Sequence, residues 1–303
     1  MPLLTAIAAL ALFLLLPDAQ AHAWGPGVHM AVGNWFLANL DCVAQDVARM
    51  LSQHPGAFLY GSLAADIFIG KGSAVRPGHS HNWATGLGLL ARADSGRTRA
   101  YAYGYLAHLA ADTVAHNHYV PDMLCALPAG GRLGHVYIEM QADAQVRWDT
   151  GQARELFARP QEDTDAALLA TVRQRRWPFL LKKQVIKGHL SLCGRRRWDS
   201  SLHAADRVLH LGGRRYFRDM FALTLDAVGD FLARPGSSPV MELDPIGSAP
   251  LGRAAGMRRQ GVCPGRRTGR TPGGLFPLAS QLTGLPRLHD RQGNTEIPLR
   301  PTG

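Results

Sequence analysis

The stretch "YGYLAHLAADTVAHNHYVP" (103–121) carries His108, Asp112, His116 and His118. On a helix, the first three stand four apart and share one face, each about a turn above the last. Imidazole and carboxylate are ligands that zinc accepts, and this spacing lets neighbours converge on one ion. A second pair, His135 and Glu139 in "GHVYIEMQADAQV", repeats the interval. One such pair is ordinarily a surface ion pair; two so close in sequence point to a site. Asp66 lies in the apolar run "GSLAADIFIG", where a carboxylate is costly unless it is paired or bound to a metal. "RPGHSHNW" adds His79 and His81 in a loop, and His29 follows the Trp24 of "AHAWGPGVH". A structural zinc is closed by four ligands and a catalytic one by three plus water. These residues exceed that need, so they predict two or three Zn2+ ions, an arrangement suited to phosphoryl chemistry.

The elements that position them read as helices. Apolar residues recur at intervals of three and four through 28–52, 84–93, 98–119, 134–156, 163–174, 179–192, 198–211 and 214–233, and alternating strand-like runs are scarce. The expected fold class is all-α. Breakers in "KGSAVRPGHS" (71–80) and "LPAGGRLG" (127–134) mark loops able to hold ligands. After Arg234 the chain becomes rich in Pro, Gly and Arg, so 236–303 is expected to be a disordered or loosely attached tail, leaving 24–235 as the helical domain.

Residues 3–16 form an apolar run too short to cross a bilayer comfortably, and "AHA" supplies the small-x-small pattern of a cleavage site. Residues 1–23 are therefore expected to be a signal peptide, although its first residues carry no Lys or Arg, and the protein to be exported, periplasmic or secreted. Cys42, Cys125, Cys193 and Cys263 show no CxxC pairing, which argues against a thiolate zinc site and allows up to two disulfides or buried thiols.

The net charge of +10 is unevenly spread. Nine Lys or Arg and no acid lie between Arg173 and Arg197, interleaved with Trp177, Phe179, Leu180 and Leu181 and followed by Trp198. Such a block suits peripheral contact with an anionic membrane surface or the phosphates of a nucleic acid. From Gly236 onward nine Arg stand against four acids.

These motifs, in this order over about 24–145, resemble the zinc-dependent phospholipase C family and its structural cousins, the fungal single-strand nucleases. The resemblance implies an all-helical, multi-helix bundle holding three zincs, with a mature chain that begins at Trp24. The Trp24 α-amine and carbonyl oxygen, His29 and Asp112 would bind one zinc, Asp112 bridging to a second held by Asp66, a loop histidine and His108. A third would be held by the histidine after Asp112, with His135 and Glu139. Asp66 is the candidate catalytic residue, as base or orienting group for the attacking water.

Two choices stay open. The histidine after Asp112 is His116, on the face of a straight helix, or His118, at the interval of other relatives; His116 is preferred. The loop ligand is His79 or His81, with His81 preferred because "SHN" before an aromatic looks more like the family loop. The short Trp24–His29 interval is similar to the nucleases, whereas the HxxxE ending leans toward the phospholipases. The expected activity is hydrolysis of a phosphodiester, most simply of a phospholipid. The alternatives are a nuclease of single-stranded nucleic acid and a non-catalytic zinc-binding protein.

Overall fold

The computed structural model describes residues 24–68, 80–127, 131–172, 176–193, 213–263, 274–288, 291 and 295–301. The fold is all-α; among the described residues the only β-type pairing is an isolated bridge between Val146 and Leu299. The signal-peptide expectation for 1–23, the helix pattern over 198–211, His79 and Trp198 lie outside the described residues. No described helix is long and apolar enough to cross a membrane.

The centre of the molecule is the helix Gly96–Val114, here α5. It opens on a reciprocal cap, Ser95 Oγ accepting from Thr98 N at 3.1 Å and Thr98 Oγ1 from Ser95 N at 3.1 Å. From Ala100 to Val114 every residue is buried, so no polar face remains and the small residues of this helix admit neighbours on all sides. Those neighbours are α1 (Pro26–Ala38), α2 (Gln45–Gln53), α3 (Pro55–Ala64), α4 (Trp83–Ala91), α9 (Glu162–Val172) and, after α10 (Arg176–Cys193), α11 (Arg214–Ala233). The closest approach is to α3. A Cβ on Gly61 would stand 2.0 Å from the Tyr101 carbonyl oxygen, and one on Gly104 2.0 Å from that of Phe58. Two backbones touch there.

Three further helices stand between α5 and α9. They are α6 (Val120–Ala126), α7 (Gly131–Gln145) and α8 (Thr150–Ala158). The continuous pattern over 28–52 is divided by a 3-10 turn at Leu40–Cys42, and that over 134–156 by the extended residues 146–149. α5 likewise does not continue straight to residue 119. It widens into a π turn, Ala115–Tyr119, before α6.

The expectation of a disordered or loosely attached tail is corrected. In its described residues, 236–303 forms a 3-10 turn (Pro239–Glu242), α12 (Ser248–Arg259) and a short α13 (Ser280–Thr283). Val240, Ala254, Cys263, Phe276, Leu282 and Leu288 are buried, so widely spaced apolar anchors hold a segment whose average composition suggested none. Polar pins assist them. Leu288 N donates to Asp226 at 2.8 Å, Trp35 Nε1 to the Thr295 carbonyl at 2.9 Å and Arg147 N to the Pro298 carbonyl at 2.7 Å. Cys42, Cys125 and Cys263 are buried with no disulfide among the described residues, and Cys125 and Cys263 are hydrogen-bonded neighbours. Burial, with Cys263 alongside, pushes the Cys125 thiol up to about 12.

Candidate metal centre

Five of the expected ligands converge at the heart of this bundle. His108 and Asp112 project from α5, His29 from α1, Asp66 from the 3-10 turn Ala65–Phe68 that ends α3, and His81 from the segment entering α4. Asp112 is at the middle. Its Oδ1 lies 3.4 Å from His29 Nε2, and its Oδ2 3.1 Å from His108 Nε2 and 3.4 Å from His81 Nε2. Asp66 Oδ1 stands 3.2 Å from His81 Nε2 and 3.6 Å from His108 Nε2. Two triads, His29–Asp66–His108 and His81–His108–Asp112, have their donor atoms close enough to surround an ion.

The chemistry of this donor set fits zinc. Zinc–ligand bonds of 2.0–2.1 Å in a tetrahedron put donors about 3.3 Å apart, the spacing found here. His29 Nε2 and both Asp112 oxygens are buried yet lack a hydrogen bond of good geometry, a cost that a cation at their centre would offset. Burial alone would raise the Asp112 carboxyl, but the His108 and His29 imidazoles hold it well below the usual carboxylate range. The imidazoles are also oriented. His108 Nδ1 donates to the Ser62 carbonyl at 2.9 Å, which turns Nε2 toward the carboxylates, and His81 Nδ1 is 3.0 Å from Ser80 Oγ.

A second set of candidates meets between the π turn and α7. His135 and Glu139 are neighbours on α7, with Nε2 to Oε1 at 3.4 Å, and the His116 ring is 5.8 Å from that of His135. His118, two residues further round the π turn, instead directs Nδ1 to the Phe276 carbonyl at 3.4 Å, and burial lowers its imidazole pKa. Of the two open candidates, His116 is therefore the one brought to His135, and His81 is brought to Asp66. Trp24 is fully buried, its ring stacked on Tyr119, and its Nε1 donates at 3.1 Å to the carbonyl of Ala111, the residue before Asp112.

Sequence reasoning missed Asp143. Helix α1 begins at Pro26 with Gly25 as N-cap and no side-chain cap of its own. The missing acceptor comes from α7, where Asp143 takes Gly27 N at 3.0 Å and Val28 N at 2.9 Å. Burial pushes the Asp143 carboxyl up to about 7 despite these two donors. A Cβ on Gly25 would stand 2.4 Å from its Oδ2, so the glycines of "AWGPGVH" give the carboxylate its room. The signal was present in the sequence: His135, Glu139 and Asp143 stand four apart on one helical face.

The family model described as zinc dependent phospholipase C matches residues 28–195, more than half of the chain. The protein belongs to the zinc-dependent phospholipase C family, and its all-α fold and buried His/Asp groups accord with that membership. Neither a curated protein nor a solved structure matches it.

Proposed function

We propose that the chain is an exported phosphodiester hydrolase that uses a zinc cluster, three ions when full, to cleave phospholipids. The observation that carries this reading is the convergence of His29, Asp66, His81, His108 and Asp112 at 3.1–3.6 Å in a family member. Trp24, His29 and Asp112 would hold one ion, with Asp66, His81, His108 and the other Asp112 oxygen holding its neighbour. His116, His135 and Glu139 would hold the third. Zinc, when bound, supplies a Lewis acid that makes water acidic enough to attack phosphorus near neutral pH. The chain's own part is placement and proton handling. Asp112 is closed to solvent, whereas the Asp66 side chain keeps 11% exposure, so of the two carboxylates Asp66 is the one assigned to orient the attacking water and accept its proton.

The test is the zinc content of a chain cleaved to begin at Trp24, beside one bearing an extra residue before it. Near three ions are expected in the first and about two in the second, because the extension converts the ligating amine to an amide. The same mature chain is then assayed on phospholipid vesicles and on a single-stranded oligonucleotide. Turnover of the oligonucleotide alone places it with the nucleases, and bound zinc with no turnover makes it a binding protein.

The lipid reading draws support from α10. This helix packs beside the 3-10 turn that carries Asp66 and leaves Trp177 (73%), Leu180 (42%) and Leu181 (53%) exposed, three apolar side chains at i, i+3 and i+4. Lys183 is turned inward to Asp165 at 2.7 Å, so it anchors the helix. We assign the exposed stripe to an anionic bilayer surface, with Trp177 at headgroup level. Replacing Trp177 and Leu181 together by Ser is expected to weaken binding to phosphatidylserine-containing vesicles about tenfold or more, since each buried side chain contributes roughly 1.5–3 kcal/mol. Sedimentation of protein with the vesicles measures it; unchanged partitioning would remove this face from the proposal.

A further inference from the structure

The segment after Arg234 reaches the candidate centre directly. His116 Nδ1 lies 2.6 Å from the Pro245 carbonyl oxygen. A carbonyl only accepts, so Nδ1 carries the proton and Nε2 keeps its lone pair, on the ring neighbouring His135. The next residue repeats the connection. Asn117 Nδ2 donates to the Asp244 carbonyl at 2.8 Å and to the Thr113 carbonyl at 2.8 Å. Consecutive side chains of the π turn are thus tied to consecutive carbonyls of one loop.

That loop is built to hold its shape. The Asp244 carboxylate accepts from Ile246 N and Ser248 N, both at 2.9 Å, which closes the turn ahead of α12. Gly247 has φ +61°, the left-handed conformation that glycine adopts at least cost. Space makes the same demand. A Cβ at Gly247 would stand 2.4 Å from the His116 carbonyl oxygen and 2.6 Å from the His116 Cβ. Any other residue there must push the loop off the histidine. The loop also lies outside residues 28–195, so the family match gives it no role.

We propose that the loop Asp244–Ser248 is a positioning element of the metal centre. Its Pro245 carbonyl fixes the tautomer and ring orientation of His116 as a ligand beside His135 and Glu139, and Gly247 permits that contact. The inference rests on the zinc-cluster reading. Loss of an outer partner of a ligating histidine typically lowers metal affinity about 10- to 100-fold. The effect should centre on one ion, because the loop reaches the centre through His116 and Asn117.

The experiment is zinc titration of the whole mature chain against a chromophoric chelator, in the wild type, Gly247→Val and Asp244→Ala. Imidazole 15N spectra of the zinc-free proteins accompany it. Both variants are expected to weaken one zinc about 10- to 100-fold while the others titrate as in the wild type, and His116 should lose its single Nδ1–H tautomer. Asp244→Ala loosens the turn without adding bulk, so it carries the test if Gly247→Val does not fold. Titrations that superimpose on the wild type in folded Asp244→Ala, with the His116 tautomer displaced, would overturn the proposal and leave the cluster reading intact. A wild-type chain that binds no zinc would overturn both.

Discussion

Asp112→Asn is expected to remove two zinc ions at once and to lower hydrolysis by about a thousandfold or more. The two oxygens of Asp112 face different donors, Oδ1 toward His29 and Oδ2 toward His81 and His108. An amide of the same shape keeps one weak oxygen donor, loses the charge and turns an N–H toward one of the two sets. Neither ion then retains its shared anion. A Lewis acid is worth several kcal/mol of transition-state stabilisation, and about 1.4 kcal/mol is a factor of ten, so losing two makes a thousandfold loss a conservative figure. His29→Ala and His116→Ala each remove a ligand assigned to a single ion and should cost one ion. Metal content measured by mass spectrometry beside the initial rate on one phosphodiester decides it. Loss of a single ion from Asp112→Asn would mean that Asp112 does not bridge.

The part of this centre that was legible in the sequence is the part carried by side chains on regular helices. His108 and Asp112, or His135 and Glu139, announce themselves because an interval of four is a geometric statement on a helix. Asp66 was legible for a different reason, as a carboxylate in an apolar run. The choice between His116 and His118 was not, because it depends on a π turn that no residue type signals. Nor were the outer partners. Ser62 and Pro245 act through backbone carbonyls, which every residue possesses, so their sequence carries no mark of the task. The tail misled for a related reason. Pro245 and Gly247 count toward a disordered composition, yet here they shape one turn against His116, and a few buried residues such as Val240 and Leu288 suffice to anchor the rest.

Gly104→Val is expected to have the largest effect on the fold, and through the fold on the site. At the crossing of α3 and α5 the missing side chains are replaced by backbone. A Cβ on Gly104 would meet the Phe58 carbonyl oxygen at 2.0 Å and its carbon at 2.9 Å, and one on Gly61 would meet Tyr101 at the same two distances. A flexible side chain could yield to such a clash, whereas two packed helices must part. Overpacking typically costs about 1–3 kcal/mol, occasionally more, and contact between rigid backbones belongs at the upper end, against a total stability on the order of 5–15 kcal/mol. Gly104→Ala should therefore lose about 3 kcal/mol, and Gly104→Val should scarcely fold. The same crossing sets the centre. Ser62, next to Gly61, supplies the carbonyl for His108 Nδ1 at 2.9 Å, and Asp66 ends the same segment, so parting the helices moves Asp66 away from His108. Folded Gly104→Ala is thus expected to bind zinc more weakly as well as to unfold earlier in urea. Gly252 and Gly256 in α12 serve as the contrast, since a Cβ there meets nothing within 4 Å, and Ala at either should stabilise by roughly 0.5–1 kcal/mol. Urea unfolding with and without zinc reads both quantities, and a Gly104→Ala midpoint equal to the wild type would show that the crossing is not the constraint that fixes Asp66 against His108.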